Sequence, residues 1–173
     1  MPKSEKIRVM ISSRCKTTIT YNEKPVLLSE VREVVKKDIK ALALWDGQET
    51  LCDCWINEDS ASSPMNETWW ERCLSEARRA DLVIVVYNGE SGGAIKGQPM
   101  GICHAELEAA LATQSKKVRV IRLLPLAKLP SNPLQRKCDE AFREYVDKLD
   151  MFGPDAKTGE ELIAALYCTI ASS

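Results

Sequence analysis

The sequence has a single histidine, His104, and no cysteines at C-x-x-C spacing. Zinc sites are usually built from four cysteine and histidine ligands in closely spaced pairs, and here only Cys52 and Cys54 are close together. We therefore predict no metal site. A Ser-His-Asp triad is also disfavoured, because helical periodicity turns His104 away from its neighbour Glu106.

Strong net charge and long apolar runs are also missing. The chain has 24 Lys and Arg against 25 Asp and Glu, so nothing attracts it as a whole to nucleic acid or to an anionic membrane. No apolar run reaches the roughly 18 residues that cross a bilayer, and the amino terminus lacks the apolar core of a signal peptide.

The seven cysteines, an odd number, fit reduced thiols in a core. We predict a cytoplasmic protein with neither nucleic acid nor membrane as a partner.

The hydrophobic pattern alternates between strands and helices along the 173 residues. It predicts a loop at residues 17–25. Strands are predicted at residues 7–12, 51–56, 82–87, 118–124 and 151–152, and helices at residues 28–44, 68–79, 102–115, 133–149 and 159–171. Such alternation is typical of an α/β domain with a parallel sheet, here of four to five strands, covered by helices on both faces. Residues 1–173 are predicted to be one domain, either whole or excised from a longer protein.

A glycine-rich stretch, residues 88–101, follows the most apolar strand and precedes a helix. It contains five of the eight glycines: Gly89, Gly92, Gly93, Gly97 and Gly101. It matches neither G-x-x-x-x-G-K-[ST] nor G-x-G-x-x-G, so neither phosphate-binding signature is present. A loop of this length inside a domain is usually functional, with simple flexibility as the alternative.

Glu106 is the main candidate for a catalytic group. Helical periodicity places it among small apolar residues, whereas Glu108 turns toward solvent. Open α/β sheets bind ligands at the carboxyl ends of their strands, and a carboxylate there can stabilise or attack a sugar cation. A structural glutamate, favoured by the helix dipole or paired with an arginine, is the alternative, and spacing alone leaves both open.

Further candidates follow the first two strands. Ser12, Ser13 and Arg14 border the same predicted cleft, where hydroxyls and a guanidinium can hold ribose or phosphate groups, or simply cap a turn. Trp55, at the end of the second strand, can stack a base or nicotinamide ring, with core packing as the alternative.

Three segments of the chain resemble a known family over residues 7–124. They are VMISSR near the amino terminus, Trp55 with Glu58, and CLSEARRADLVIVVYNG followed by HAELEAA. Together they resemble the TIR-like domain of unknown function 4062, found at the front of many STAND-type ATPases and antiviral-defence proteins. The strand, Asn-Gly, glycine-rich loop and E-x-x-x-A pattern is also similar to nucleoside 2-deoxyribosyltransferases and Toll/interleukin-1 receptor (TIR) domains.

This resemblance implies a flavodoxin-like three-layer sandwich. It also implies that Glu106 is the glutamate that acts at the anomeric carbon of a nucleoside or of NAD, and that Cys103 matches the cysteine of the TIR helix. The pocket would be shaped by Asn88, Gly89, Ser91, Gly92 and Gly93.

The function implied is cleavage of the nicotinamide–ribose bond of NAD in immune or stress signalling, with NAD as substrate and no bound cofactor. Assembly as a homo-oligomer, or with partner domains of a longer chain, is also implied. Two alternatives stay open: a non-catalytic signalling, nucleotide-sensing or oligomerisation module of a STAND-type protein, and a nucleoside deoxyribosyltransferase.

Overall fold

The structure is a computed structural model that describes residues 6–42, 51–56 and 67–173. Its strands are β1 Ile7–Ser13, β2 Thr18–Tyr21, β3 Lys24–Leu27, β4 Cys52–Ile56, β5 Leu82–Tyr87, β6 Val118–Leu123 and β7 Phe152–Ala156. Five of them form a parallel sheet in the order β4-β1-β5-β6-β7. With the β2-β3 hairpin set aside, this is the 2-1-3-4-5 order of flavodoxin-like folds. The predicted fold class is therefore confirmed.

Five helices cover the sheet. They are α1 Leu28–Ala41, α2 Glu67–Arg79, α3 Ile102–Thr113, α4 Pro133–Leu149 and α5 Gly159–Ala171. Alternate side chains of β1 point to opposite faces of the sheet, as strand geometry requires. Val9 and Ile11 join a core with α1 and α5, whereas Met10 joins a core with α2, α3 and α4. Every residue of β5 is buried, which explains its unbroken apolar sequence.

The predicted helices are confirmed within a few residues, except that the predicted end of α1 at residue 44 lies outside the described residues. Two helix starts follow their capping residues. Asn132 accepts hydrogen bonds from the amides of Leu134 and Gln135, and Thr158 accepts one from Glu161. These side chains satisfy amides that have no partner within the helix.

The prediction of a loop over residues 17–25 is wrong, because strands β2 and β3 pair there as an antiparallel hairpin. Asn22 and Glu23 form its turn with φ of 49° and 61°. Tight hairpin turns need such angles, but their usual sequence signal is Asn-Gly, which is absent here. The hairpin packs against α5, where the Asn22 amide donates to Glu160 at 2.5 Å.

Lys117 ties α2 to the start of β6. Its buried ammonium donates to the carbonyl oxygens of Ala77, Arg78 and Ala80 at 2.7–3.1 Å. The last carbonyls of a helix have no partner within it, so the cation satisfies two of them, Ala77 and Arg78, together with the carbonyl of Ala80 just after the helix. This contact lies at the amino end of the sheet, where β6 begins.

Candidate functional site

The carboxyl ends of β1 and β5 lie side by side in the centre of the sheet. Ser12 and Ser13 are in register with Val85 and Val86, and Asn88 follows the last residue of β5. The chain leaves β1 toward β4 and leaves β5 toward β6, so this is the point where the strand order reverses. Ligands of open α/β sheets bind in the crevice at such a point.

Glu106 lies on α3 beside this crevice and is fully buried. The buried Ser12 hydroxyl donates a hydrogen bond to its carboxylate across 94 positions of sequence. Glu108, by contrast, has a side chain that is 42% exposed. The predicted inward direction of Glu106 is thus confirmed, and the end of β1 holds its carboxylate.

Two buried thiols, Cys73 and Cys103, lie close enough to this carboxylate for its charge to act on them. Burial raises the pKa of Cys103 well above its ordinary value, and the negative charge of Glu106 raises it further. Burial and then Glu106 act in the same way on the pKa of Cys73. Both thiols therefore stay protonated at neutral pH, and only the thiolate form of cysteine is a nucleophile. Cys103 packs beside Glu106 rather than competing with it as a nucleophile.

A buried cation lies on the α1 side of the same strand end. Arg32 is fully buried, and its guanidinium donates to the carbonyl oxygen of Ile11 at 3.3 Å and to the Cys15 sulfur at 3.3 Å. Ser13 is also buried. Sequence reasoning missed Arg32, because a single arginine within an amphipathic helix gives no sign that it points inward.

A second carboxylate lies at the entrance of the crevice. Glu90 accepts hydrogen bonds from the Thr17 hydroxyl at 2.7 Å and from the Asn88 amide at 2.6 Å, and its own backbone amide donates to Asn88. The Arg14 guanidinium is 4.0 Å from Glu90. We call these four residues, Arg14, Thr17, Asn88 and Glu90, the entrance cluster. The side chains of Arg14 and Glu90 are 31% and 27% exposed, within reach of a ligand. Neither Thr17 nor Glu90 was among the predicted site residues.

The glycine-rich loop is pinned to the first turn of α3. The carbonyl oxygens of Ser91 and Gly93 accept from the amides of Cys103 and Ile102 at 2.8 and 3.0 Å. Gly92 has φ of +82°, and a Cβ there would lie 2.8 Å from the Ile102 side chain. The loop therefore forms a fixed wall beside Glu106 rather than a flexible linker. Simple flexibility does not describe residues 91–93.

Trp55 lies apart from this group. It is in register with Met10, two residues before Ser12, and it is partly exposed. It lines a cavity of about 380 Å³ with Arg8, Asp53 and Arg79. Among the described residues, the lining of this cavity includes neither Ser12 nor Glu106. Glu58, which contributed to the resemblance, falls outside the described residues.

His104 lies between α3 and α4. Its ring is 5.2 Å from that of Phe142 and 4.8 Å from that of Tyr145, and it is 5% exposed. Burial lowers the pKa of His104, and Glu108, 3.5 Å away, offsets part of that effect. The imidazole is therefore neutral at neutral pH and serves as packing between the two helices.

This burial predicts a loss of stability on acidification. Below the ordinary pKa of 6.5, the unfolded chain binds a proton at His104 that the folded chain does not. The free energy of unfolding should therefore fall as the pH drops through 6.5 and level off below the lowered pKa of the folded chain. Urea unfolding from about pH 8 to pH 5 measures this fall. In His104→Phe, the part of the fall that is due to the histidine should be absent. Parallel pH profiles for the two proteins would contradict the assignment, since His104 is the only histidine.

The described residues hold no group of three or more His, Cys, Asp and Glu side chains that could bind a metal ion. Within the same part of the chain, no helix is long and apolar enough to cross a membrane. The chain matches no model of a known protein family, and a search of curated proteins finds no significant relative. Functional assignment thus depends on the geometry of the crevice and on the resemblance of its motifs.

Proposed function

We propose that this domain is a TIR-like N-glycosidase that cleaves the nicotinamide–ribose bond of NAD or of a related nucleotide, with Glu106 as its catalytic carboxylate. The observation that carries the proposal is the hydrogen bond between Ser12 and Glu106 at the crevice between β1 and β5. A hydroxyl bonded to one carboxylate oxygen fixes the direction of the group, as positioning residues do in catalytic sites.

The chemistry suits a site whose catalytic group is the Glu106 carboxylate alone, because the only histidine, His104, is neutral and packs between α3 and α4. When the bond between C1′ and the ring nitrogen breaks, its electron pair goes to nicotinamide, which leaves as a neutral base. No general acid is needed for this leaving group. If Glu106 only stabilises the ribosyl cation, water adds at C1′ and releases a proton. If Glu106 traps the cation as an ester, water displaces the carboxylate from C1′, the bond between C1′ and Glu106 breaks, and the water releases a proton.

The entrance cluster suits the sugar of such a substrate. Glu90 already accepts two hydrogen bonds, and its remaining lone pairs can accept from ribose hydroxyls. Arg14 supplies a partly exposed guanidinium for the phosphates. Glu106 is fully buried, so the ribosyl group reaches it only when the covering side chains move apart. We therefore expect low activity from the monomeric protein, and higher activity when assembly into an oligomer favours the arrangement in which these side chains are apart.

A non-catalytic nucleotide-sensing module is the second candidate. Complete burial of Glu106 favours it, because a carboxylate with a structural role, such as accepting the hydrogen bond from Ser12, does not need to be accessible to a substrate. In this case the nucleotide would bind at the entrance cluster without being cleaved.

The test is to incubate the wild-type chain with NAD over a series of protein concentrations, and again when tethered into an oligomer by a fused coiled coil. Free nicotinamide is measured by chromatography. We expect release to rise more steeply than in proportion to protein concentration. NAD binding with no nicotinamide released by the tethered protein would reject the enzyme and support the sensing module. Base exchange between two nucleosides without NAD turnover would instead show a deoxyribosyltransferase.

A further inference from the structure

We infer that helix α4 holds the glycine-rich loop in the position that Glu106 needs, with Asp139 as the central positioning residue. This inference rests on the function proposed above. The helix lies beyond residue 124, where the sequence resemblance ends, and none of its residues was a predicted site residue. It nevertheless contacts the loop at several points between residues 89 and 92.

Asp139 is the strongest of these contacts. Its side chain is 2% exposed, and one carboxylate oxygen accepts three hydrogen bonds. The Ser91 amide donates at 2.9 Å, the Ser91 hydroxyl at 2.7 Å, and the Gln135 amide at 2.9 Å. A buried carboxylate is costly unless donors surround it, and bonds to an ionised acceptor are stronger than neutral ones. Ser91 is thus fixed through its backbone and its side chain together.

Ser91 connects Asp139 to the start of α3. Its carbonyl oxygen accepts from the Cys103 amide at 2.8 Å, in the first turn of the helix. Gln135 also donates to the carbonyl oxygen of Gly92 at 3.0 Å. Glu106 follows Cys103 by three residues, which is almost one helical turn. A shift of Ser91 would therefore move the start of α3 and change how Glu106 meets Ser12.

A second clamp from α4 acts on the other end of the loop. Arg143 donates to the carbonyl oxygens of Gly89 and Ala127 at 3.0 and 2.5 Å. The Ala127 amide donates in turn to the carbonyl oxygen of Asn88 at 2.8 Å. These bonds fix the backbone at Asn88 and Gly89, next to Glu90 of the entrance cluster. One helix thus sets the positions of both carboxylates of the crevice.

The experiment compares Asp139→Ala with Asp139→Asn. Asparagine keeps an acceptor oxygen for all three donors, whereas alanine removes it. We expect kcat for nicotinamide release to fall by about 10- to 100-fold in Asp139→Ala, with KM changed by less than about threefold, because a small misplacement of reacting groups is costly. Asp139→Asn should stay within about threefold of the wild type in both.

The matched control for lost stability is Lys117→Met, which removes a buried anchor at the opposite end of the sheet. It should lower the free energy of unfolding and leave kcat unchanged. Equal losses of kcat in Lys117→Met and Asp139→Ala would overturn the positioning role, and so would unchanged kcat in Asp139→Ala.

Hydrogen exchange separates this inference from the proposed function. The Ser91 and Cys103 amides should exchange at least about 10-fold faster in Asp139→Ala than in the wild type, but not in Lys117→Met. If the wild type releases no nicotinamide, the proposed function fails, and exchange alone then decides whether α4 holds the loop. Unchanged exchange at both amides would show that α4 does not fix the position of the loop.

Discussion

Replacing Glu106 by glutamine is expected to lower the rate of nicotinamide release by roughly 10³-fold, because the uncharged amide neither stabilises nor traps the ribosyl cation. Glutamine has nearly the same shape, and its oxygen can still accept from the Ser12 hydroxyl. The variant should therefore fold, with a far-ultraviolet circular dichroism spectrum like that of the wild type. The rate is measured on the tethered oligomer at saturating NAD.

Glu108→Gln is the matched control for this change. It removes the same charge from the same helix, two positions away, but from a side chain that is 42% exposed and pairs with His104. Its rate should stay within about twofold of the wild type, since surface changes away from a site have small effects. If Glu106→Gln retains more than about a tenth of the wild-type rate, Glu106 is not the catalytic carboxylate.

Gly101→Ala is expected to lower the free energy of unfolding by about 3 kcal/mol or more, the sum of overpacking and weakened loop hydrogen bonds. Gly101 is the residue before α3, and a Cβ there would overlap the backbone carbonyl oxygens of Ser91 and Gly92. Both oxygens are backbone atoms of the loop that is bonded to α3, so the clash cannot be relieved by rotating a side chain. The backbone itself must move, and the bonds from Ile102 and Cys103 to the loop are disturbed.

Gly97→Ala separates this crowding from the general cost of replacing a loop glycine. Gly97 has φ of +88°, but a Cβ there would meet no atom within 4 Å. Only backbone strain remains, about 1 kcal/mol. Urea unfolding of the two variants measures the difference. A Gly101→Ala protein as stable as Gly97→Ala would show that the loop is not packed against α3 as described.

Local patterns in the sequence were enough to predict most of the fold. The unbroken apolar run of β5 predicts a buried strand, and the periodicity of α3 predicts that Glu106 points inward and Glu108 outward, as the structure has them. The β2-β3 hairpin escaped prediction, because Asn22 and Glu23 adopt positive φ without the usual Asn-Gly signal. The position of Trp55 at the end of a predicted strand favours a place beside Ser12, but the strand register pairs Trp55 with Met10 instead.

The sequence by itself determined how the five strands of the main sheet alternate with the five helices along the chain, and the direction in which Glu106 points, because both follow from periodicities of two and 3.6 residues within one segment. Only the tertiary structure decided what Glu106 meets. The bond from Ser12 spans 94 positions, the entrance cluster joins Thr17 to Glu90 across 73, and Asp139 reaches Ser91 across 48. Such contacts depend on strand order and on the packing of α4, and no local pattern encodes either of them.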